Sequence, residues 1–226
     1  MFIGHWSAAF LAGAASRRAP KLGVLFVAAQ LVDWGFFALA AVGVEKLRIT
    51  PGATAMNPLD LYHMPYTHSL AGTAAWALAF VAVLLAWRRD LPAALVGGAV
   101  VLSHWFLDLL VHRPDLTLAG GERKLGLGLW DRPEIAIPLE LALTLGAFAF
   151  YLRRTRGPAG PPLVLLAVLL AMQLVNWIGP QPESAGPGLY LLALASFALA
   201  TWIAWWVGDT RWHRREIGLG VATARR

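Results

Sequence analysis

Long apolar runs dominate this chain, and the segments between them carry most of its prolines and charges. At about 1.5 Å of rise per residue, a helix needs ~20 apolar residues to cross ~30 Å of hydrocarbon. Six runs approach that length and end at proline, glycine or charge: 22–43, 66–87, 91–112, 133–152, 161–179 and 187–208. The pattern therefore predicts at least six membrane-spanning helices.

A seventh apolar run, from Phe2 to Ser16, is shorter than the others. Its basic neighbours, Arg17, Arg18 and Lys21, follow the apolar segment, whereas those of a secretory signal peptide precede it. We therefore expect this run to form a short, tilted or re-entrant helix that belongs to the bundle.

The composition agrees with this pattern. Hydrophobic residues make up 58% of the 226 residues and charged residues 14%, whereas soluble domains average about 45–50% and about 25%. We predict an all-α integral membrane protein, a polytopic bundle of about seven transmembrane helices over residues 1–208, followed by a basic tail over 209–226. The chain has no cysteine, which excludes disulfides, zinc–thiolate sites, iron–sulfur clusters and cysteine nucleophiles.

The formal net charge of +6 is explained by topology. If all seven runs cross, 13 of the 19 lysines and arginines share one side: Arg17, Arg18, Lys21, Arg88, Arg89, Arg153, Arg154, Arg156, Arg211, Arg214, Arg215, Arg225 and Arg226. The positive-inside rule makes that side cytoplasmic, which puts the N-terminus outside and the C-terminus in the cytoplasm. We accordingly predict the lipid bilayer as a partner and no nucleic acid.

Two connections, 44–65 and 113–132, are about 20 residues long and both fall on the predicted outer side. Helical bundles are closed by shorter connections. Long loops of this kind often cover a binding site. We expect these two long connections to form a lid or rim.

Ionisable residues inside the apolar runs are few, and each is costly enough in a membrane to indicate function. His104, Asp108 and His112 follow one another at four-residue spacing, which places them on one face of one helix. Asp33 and Glu140 lie in two other runs. With the orientation above, these five residues, together with His5 and His68, all lie in the outer half of the bilayer.

Imidazole and carboxylate groups without thiolates suit zinc, manganese or iron, and zinc is the first choice. Eight residues are available, which is enough for one ion with supporting groups or for two ions: His5, Asp33, His63, His68, His104, Asp108, His112 and Glu140. Both possibilities remain open from the sequence.

The candidates divide into three roles. We predict the metal ligands to be His68, His104, Asp108, His5, His63 and Asp33. Asp33 and Glu140 are candidate catalytic groups, with Glu140 as the general acid or base. Asp33 has the alternative of pairing with Gln173 or Asn176, and Glu140 that of a hydrogen bond between helices. The substrate rim is predicted at His112, Arg113 and Asp115, with a purely interfacial position as the alternative.

Two motifs carry a resemblance to a known family. They are His63-Met-Pro-Tyr-Thr67-His68-Ser69 and Ser103-His104 with Asp108, preceded by His5 and Asp33. Over about residues 1–140, this pattern resembles the bacterial membrane-bound metal-dependent hydrolase-like family of the YdjM type. The resemblance implies a multi-pass protein of the bacterial inner membrane with a metal site built from these residues.

Three functions are compatible with these observations. The first is a metal-dependent hydrolase in which metal-activated water attacks a lipid or a membrane-near ester or phosphoester. The second is a transporter or channel for divalent cations or protons, although the inner halves of the runs are almost purely apolar. The third is a non-catalytic protein with a structural metal. No oligomeric state is predicted.

Overall fold

The computed structural model describes residues 1–214 as a bundle of seven helices. They are α1 (His5–Ala15), α2 (Leu22–Ala41), α3 (Leu70–Arg88), α4 (Leu91–Val111), α5 (Pro133–Arg154), α6 (Gly160–Ile178) and α7 (Pro187–Thr210). Six of them, α2 to α7, are long and apolar enough to cross a membrane. The predicted helical class and its six long apolar helices are therefore confirmed.

Helix α3 shows the largest difference from the predicted boundaries, because it begins at Leu70 rather than at residue 66. Pro65 disfavours a helical conformation for the residue before it. Ser69 has an extended backbone, and its hydroxyl accepts the N–H of Gly72 at 2.9 Å, so it forms the N-cap. Tyr66, Thr67 and His68 consequently lie before the helix, in a turn.

Helix α1 is short, as the sequence predicts, and most of its residues are buried. Its 11 residues span about 16 Å, roughly half the hydrocarbon thickness. It packs against α2, α4 and α5, and Trp6 and Phe10 are fully buried. The first residue of α1, His5, therefore lies inside the bundle rather than at its surface.

At one end of the bundle, the end of α1 lies beside the start of α2 and the ends of α5 and α7. Lys21 forms an ion pair with Asp209 at 2.5 Å. Strand β3 (Thr155–Arg156) pairs antiparallel with β4 (Trp212–His213). Part of the predicted tail over 209–226 thus belongs to α7 and β4, and its remaining residues, 215–226, lie outside the described residues.

The opposite end is covered by the two long connections. The first contains an antiparallel hairpin of β1 (Lys46–Ile49) and β2 (Leu59–His63). The second is joined to this hairpin by Arg113, whose guanidinium donates to the carboxylate of Asp60. Both connections therefore form an ordered cap.

Apolar side chains fill the bundle between α1 and the basic end. Trp6, Phe10, Phe26, Phe148 and Leu165 are buried and belong to one cluster. Rings of Phe10 and Phe26 meet edge to face at 5.2 Å, and those of Phe10 and Phe148 at 5.5 Å. The polar residues described next lie at the other end of this core, toward the cap.

Candidate metal centre

Asp108 on α4 is surrounded by four imidazoles. Its Oδ1 lies 3.1 Å from Nε2 of His5 and 3.5 Å from Nε2 of His112. Its Oδ2 lies 3.1 Å from Nε2 of His104 and 3.6 Å from Nε2 of His68. All five side chains are buried. We call these five residues and Asp33 the His/Asp cluster.

Helix geometry explains part of this convergence. His104 and Asp108 are one turn apart on α4, and His112 follows α4 directly as its C-cap. Spacings of four residues place the three side chains on one face. His5 begins α1 and His68 lies just before the N-cap of α3, so separate elements bring them to that face.

Asp33 on α2 completes the cluster. Its Oδ1 lies 3.2 Å from Nε2 of His68 and 3.6 Å from Nε2 of His104. Its Oδ2 accepts the amide of Gln30 at 2.5 Å. The contacts of Asp33 are thus with Gln30 and these histidines rather than with the Gln173 or Asn176 of the alternative interpretation.

Hydrogen bonds at Nδ1 orient two of the imidazoles. Nδ1 of His104 donates to the carbonyl of Ala29 at 2.9 Å, since a carbonyl can only accept. Nδ1 of His112 lies 2.8 Å from the carboxylate of Asp115. In the neutral ring, both contacts leave the lone pair on Nε2, which is the atom directed at Asp108. Metal-binding histidines commonly have such partners.

A longer chain of hydrogen bonds orients His68. The hydroxyl of Thr67 donates to Glu45 at 2.6 Å and therefore accepts from Nδ1 of His68 at 2.8 Å. Glu45 also accepts the backbone N–H groups of Tyr66 and Thr67 at 2.8 and 2.9 Å. This buried carboxylate fixes both the side chain of His68 and the backbone that precedes it.

Glu45 was not among the site residues predicted from the sequence. It lies in the first long connection, outside every helix, and no periodicity relates it to His68. In the sequence, the one hint is the position of Glu45. It stands just after α2, in the connection that leads to the Thr67-His68-Ser69 motif before α3.

His5 and His104 supply the test of whether this cluster suits a metal ion. Among residues 1–214, Nε2 of His104 and both ring nitrogens of His5 are buried without a hydrogen-bond partner. Their 3.1 Å approaches to Asp108 are within ion-pair range but lack hydrogen-bond geometry. A buried polar atom without a partner costs about 1–3 kcal/mol. A cation beside the carboxylate of Asp108 would satisfy the two Nε2 atoms, so the residues fit a metal ion.

The spacing of the ligand atoms is also that of a metal site. Zinc ligands lie about 2.0–2.2 Å from the ion, so neighbouring corners of a tetrahedron are about 3.3–3.6 Å apart. The nitrogen–oxygen separations of 3.1–3.6 Å around Asp108 and Asp33 fall on or close to this range. Two groups have all ligand atoms within 4.8 Å of one another: His5, His104 and Asp108, and Asp33, His68 and His104.

Glu140 has a different environment from the cluster. Its Oε1 accepts the backbone N–H groups of Phe2 and Gly4 at 2.6 and 3.0 Å, and its Oε2 accepts the amide of Gln173 at 3.2 Å. The amino group of Met1, the residue before Phe2, lies 2.7 Å from Oδ1 of Asp108. Glu140 therefore anchors the segment that leads into α1, and its contact with Gln173 on α6 is the hydrogen bond between helices of the alternative interpretation. Its role in proton transfer stays a prediction.

The structure does not bring His63 into the cluster, contrary to its predicted role as a ligand. It is exposed at the end of β2, paired with Lys46 of β1. It lines a small cavity of about 110 Å³ together with Asp115 and Lys124. Leu61 and His63 share one face of β2, but Leu61 is buried, whereas His63 ends the strand and is exposed.

The three predicted rim residues separate. His112 is 2% exposed and belongs to the cluster rather than to its rim. Asp115 lies behind His112 as its hydrogen-bond acceptor. Arg113 reaches the cap, where it binds Asp60 and lies 3.7 Å from Asp115.

A largely apolar cavity of about 520 Å³ begins at the cluster. Asp33, His68, Asp108 and His112 form its polar end, and Glu140 also lines it. Further lining comes from the cap at Met56, Asn57, Leu59, Leu61 and Trp130, and from α6 and α7 at Val168, Ala171, Met172, Val175, Leu189, Leu192, Ala193, Ser196, Phe197 and Leu199. Several of the α6 and α7 residues are exposed on the outer surface of the bundle, so the cavity extends from buried polar groups to the apolar surface.

Comparison with known proteins finds no matching family model, no similar curated protein and no similar solved structure. The resemblance to the YdjM-type family therefore stays a prediction from motifs. Four of the residues that carry it, His5, Asp33, His68 and His104, contact one another or Asp108 in the structure.

Proposed function

We propose that this chain is a membrane-embedded, metal-dependent hydrolase, and that its His/Asp cluster binds a divalent ion, with zinc as the first choice. The observation that carries this proposal is the convergence of four imidazole Nε2 atoms on the carboxylate of Asp108 in a buried site. Nitrogen and oxygen ligands without thiolates are typical of hydrolytic zinc sites. When bound, such an ion makes a water molecule acidic enough to attack near neutral pH and polarises the ester.

The chain's own groups prepare the site for this chemistry. Ala29, Glu45 and Asp115 hold three imidazoles in orientation, directly or through Thr67. Gln30 holds Asp33. Asp33 and Glu140 are the carboxylates beside the cavity that are available to accept a proton from the attacking water or deliver one to the leaving group.

The proposed substrate is a lipid, or another amphipathic ester or phosphoester. Four members of the His/Asp cluster, Asp33, His68, Asp108 and His112, form the polar end of the cavity, and its long apolar part between α6 and α7 fits an acyl chain. Val175 and Leu192, which line that part, are each 65% exposed on the outer surface of the bundle. A lipid could therefore enter from the bilayer with its ester directed at the cluster.

The arrangement favours a hydrolase over a transporter. A transport path needs polar groups across the whole bilayer depth. Between the cluster and the basic end, the bundle is instead packed with aromatic and aliphatic side chains such as Trp6, Phe26 and Phe148. The cavity that reaches the cluster likewise favours catalysis over a purely structural metal, for which the ion would be fully enclosed.

We further propose that all seven helices belong to a bacterial inner-membrane protein with the cap outside and the C-terminus in the cytoplasm. The supporting observation is the basic end of the bundle, where Arg17, Lys21, Arg211 and Arg214 gather. The positive-inside rule assigns such an end to the cytoplasm. The cluster would then open toward the outer leaflet.

The proposed activity is tested with purified protein in lipid nanodiscs that contain ester and phosphoester lipids of several headgroup classes. We expect release of a fatty acid or a phosphorylated headgroup that stops on chelation and returns on adding zinc. The His104→Ala variant should be inactive and the His63→Ala variant active, because His63 lies outside the cluster. Metal-loaded protein that releases no product from any class would refute the hydrolase proposal.

A further inference from the structure

We propose that the His/Asp cluster holds two divalent ions rather than one, with the carboxylate of Asp108 bridging them. This inference rests on the metal-binding part of the proposed function but not on hydrolysis. The inference goes beyond the sequence, because the residue types alone are compatible with either one ion or two.

The two oxygens of Asp108 face different pairs of histidines. Oδ1 approaches His5 and His112, whereas Oδ2 approaches His104 and His68. If Asp108 bound a single ion, the imidazoles that share this ion would gather around one position next to the carboxylate. Division of four imidazoles between its two oxygens is instead the pattern of a bridging carboxylate.

The stacking of His5 on His104 indicates the same arrangement. The two rings are 1° from parallel with centroids 3.7 Å apart, and their Nε2 atoms point to opposite oxygens of Asp108 at 3.1 Å each. Ions in two-metal sites are about 3.5–4 Å apart. The ring separation therefore matches the spacing of two neighbouring ions, one for each imidazole.

The ligands can be assigned to two subsites. His104 has a single ring nitrogen free, because its Nδ1 is bonded to Ala29, so it can serve one ion only. The first subsite consists of Asp33, His68 and His104 with Oδ2 of Asp108. The second consists of His5 and His112 with Oδ1 of Asp108. The first thus has four candidate ligands and the second three, but His5 and His112 must approach each other to share an ion, because among residues 1–214 only His5, His104 and Asp108, and Asp33, His68 and His104, have all ligand atoms within 4.8 Å.

The charges around the cluster also suit two ions. Asp33 and Asp108 lie among the ligands, and Glu45 and Asp115 lie directly behind His68 and His112. Four buried or largely buried carboxylates at these positions balance two divalent cations. One divalent ion would balance the same carboxylates only together with the amino group of Met1 and the guanidinium of Arg113, which lie 2.7 Å from Asp108 and 3.7 Å from Asp115.

One contact offers a rival arrangement. The amino group of Met1 lies 2.7 Å from Oδ1 of Asp108, where the second ion would bind. If the ammonium group occupies that position in the native protein, it neutralises Oδ1, and the cluster holds the first ion alone. The two arrangements predict different metal stoichiometries.

The experiment is reconstitution of metal-depleted protein with Mn²⁺, followed by elemental analysis and electron paramagnetic resonance. We expect saturation at about two ions per chain, and a spectrum that changes from isolated to spin-coupled Mn²⁺ as the second equivalent binds. The His5→Ala and His112→Ala variants should each retain about one ion with an uncoupled spectrum. The His63→Ala control should retain two ions and the coupling.

Saturation of the wild type at one ion with an uncoupled spectrum would overturn the inference and favour the Met1 arrangement. So would two ions without spin coupling, because such ions would not share a bridging carboxylate. The wild-type spectrum decides the question even if a variant fails to fold. Two coupled ions in a protein that hydrolyses no lipid would support this inference while refuting the proposed function.

Discussion

The imidazole rings of His5 and His104 stack face to face, with their centroids 3.7 Å apart and their planes 1° from parallel. His5 is the first residue of α1, and His104 lies two turns before the end of α4. The stack therefore joins the start of the short helix to the helix that carries Asp108. Because the far end of α1 lies at the basic end of the bundle, the length of α1 determines the depth at which His5 meets α4.

The hydrogen bonds behind His68 lead to a prediction for Glu45. Glu45→Gln removes the negative charge that orients Thr67 and, through it, His68. Loss of such a supporting group typically lowers metal affinity 10- to 100-fold. We expect a decrease of about that size in zinc affinity, measured by competition with a chromogenic chelator, while the far-ultraviolet circular dichroism remains helical.

A matched control for this variant is Glu122→Gln, since Glu122 is an exposed acidic residue in the second long connection. It removes the same charge from the same end of the protein without touching the cluster. Equal affinities for the two variants would contradict a role of Glu45 in orienting His68.

Glu140 is predicted to contribute mainly to the stability of the α1 region. Glu140→Ala leaves the N–H groups of Phe2 and Gly4 without their acceptor, at a cost of about 1–3 kcal/mol. Glu140→Gln keeps a carbonyl oxygen and should destabilise the protein less. Thermal unfolding in detergent should rank the wild type first, then Glu140→Gln, then Glu140→Ala.

Glu134→Ala is the control for this ranking, because Glu134 is exposed in the first turn of the same helix. Its midpoint should decrease less than that of Glu140→Ala, because an exposed first-turn carboxylate contributes only about 0.3–1 kcal/mol. If Glu140→Gln instead unfolds like the wild type yet abolishes lipid hydrolysis, Glu140 is the general acid or base, and its anchoring contacts are secondary.

The cavity between α6 and α7 leads to a prediction about chain length. Ala193→Phe fills part of its apolar section and displaces two or three methylene groups of a bound acyl chain, each worth ~0.8 kcal/mol. Activity toward long-chain esters should decrease about 15- to 60-fold. Activity toward a short-chain ester and the metal content should be unchanged.

The corresponding control is Ala198→Phe, an exposed position on the same helix that does not line the cavity. It should behave like the wild type toward both esters. Equal losses for long and short esters in Ala193→Phe would mean that the acyl chain does not occupy this cavity.

The absence of cysteine makes the orientation easy to test. A single cysteine at Glu122→Cys lies in the cap, and one at Ala159→Cys lies between α5 and α6 at the basic end; both positions are exposed. In intact cells, a membrane-impermeant maleimide should label the first variant. It should label the second only after permeabilisation. The reverse pattern would overturn the proposed topology.

Local periodicity predicted the helices well, because each long apolar run ends at proline, glycine or a charged residue. It also identified the shared face of His104, Asp108 and His112, since that relationship lies within a single helix. The start of α3 was predicted four residues too early because apolarity alone cannot recognise the Ser69 cap.

Relationships between elements were harder to predict. His63 belongs to the exposed end of the hairpin, where it pairs with Lys46, and a motif in a sequence does not reveal such a pairing. Glu45 is brought to Thr67 by the path of the chain between α2 and α3. Contacts of this kind depend on tertiary packing, so residue type and spacing do not reveal them.

The central claim is that the His/Asp cluster binds a divalent metal, and elemental analysis of the purified protein tests it most directly. We expect wild-type protein and the His63→Ala control to contain zinc or another divalent ion in stoichiometric amounts. The His104→Ala variant, which remains folded by circular dichroism, should lose most of that metal. Wild-type protein without metal after reconstitution, or the same metal content in His104→Ala as in the wild type, would contradict the account.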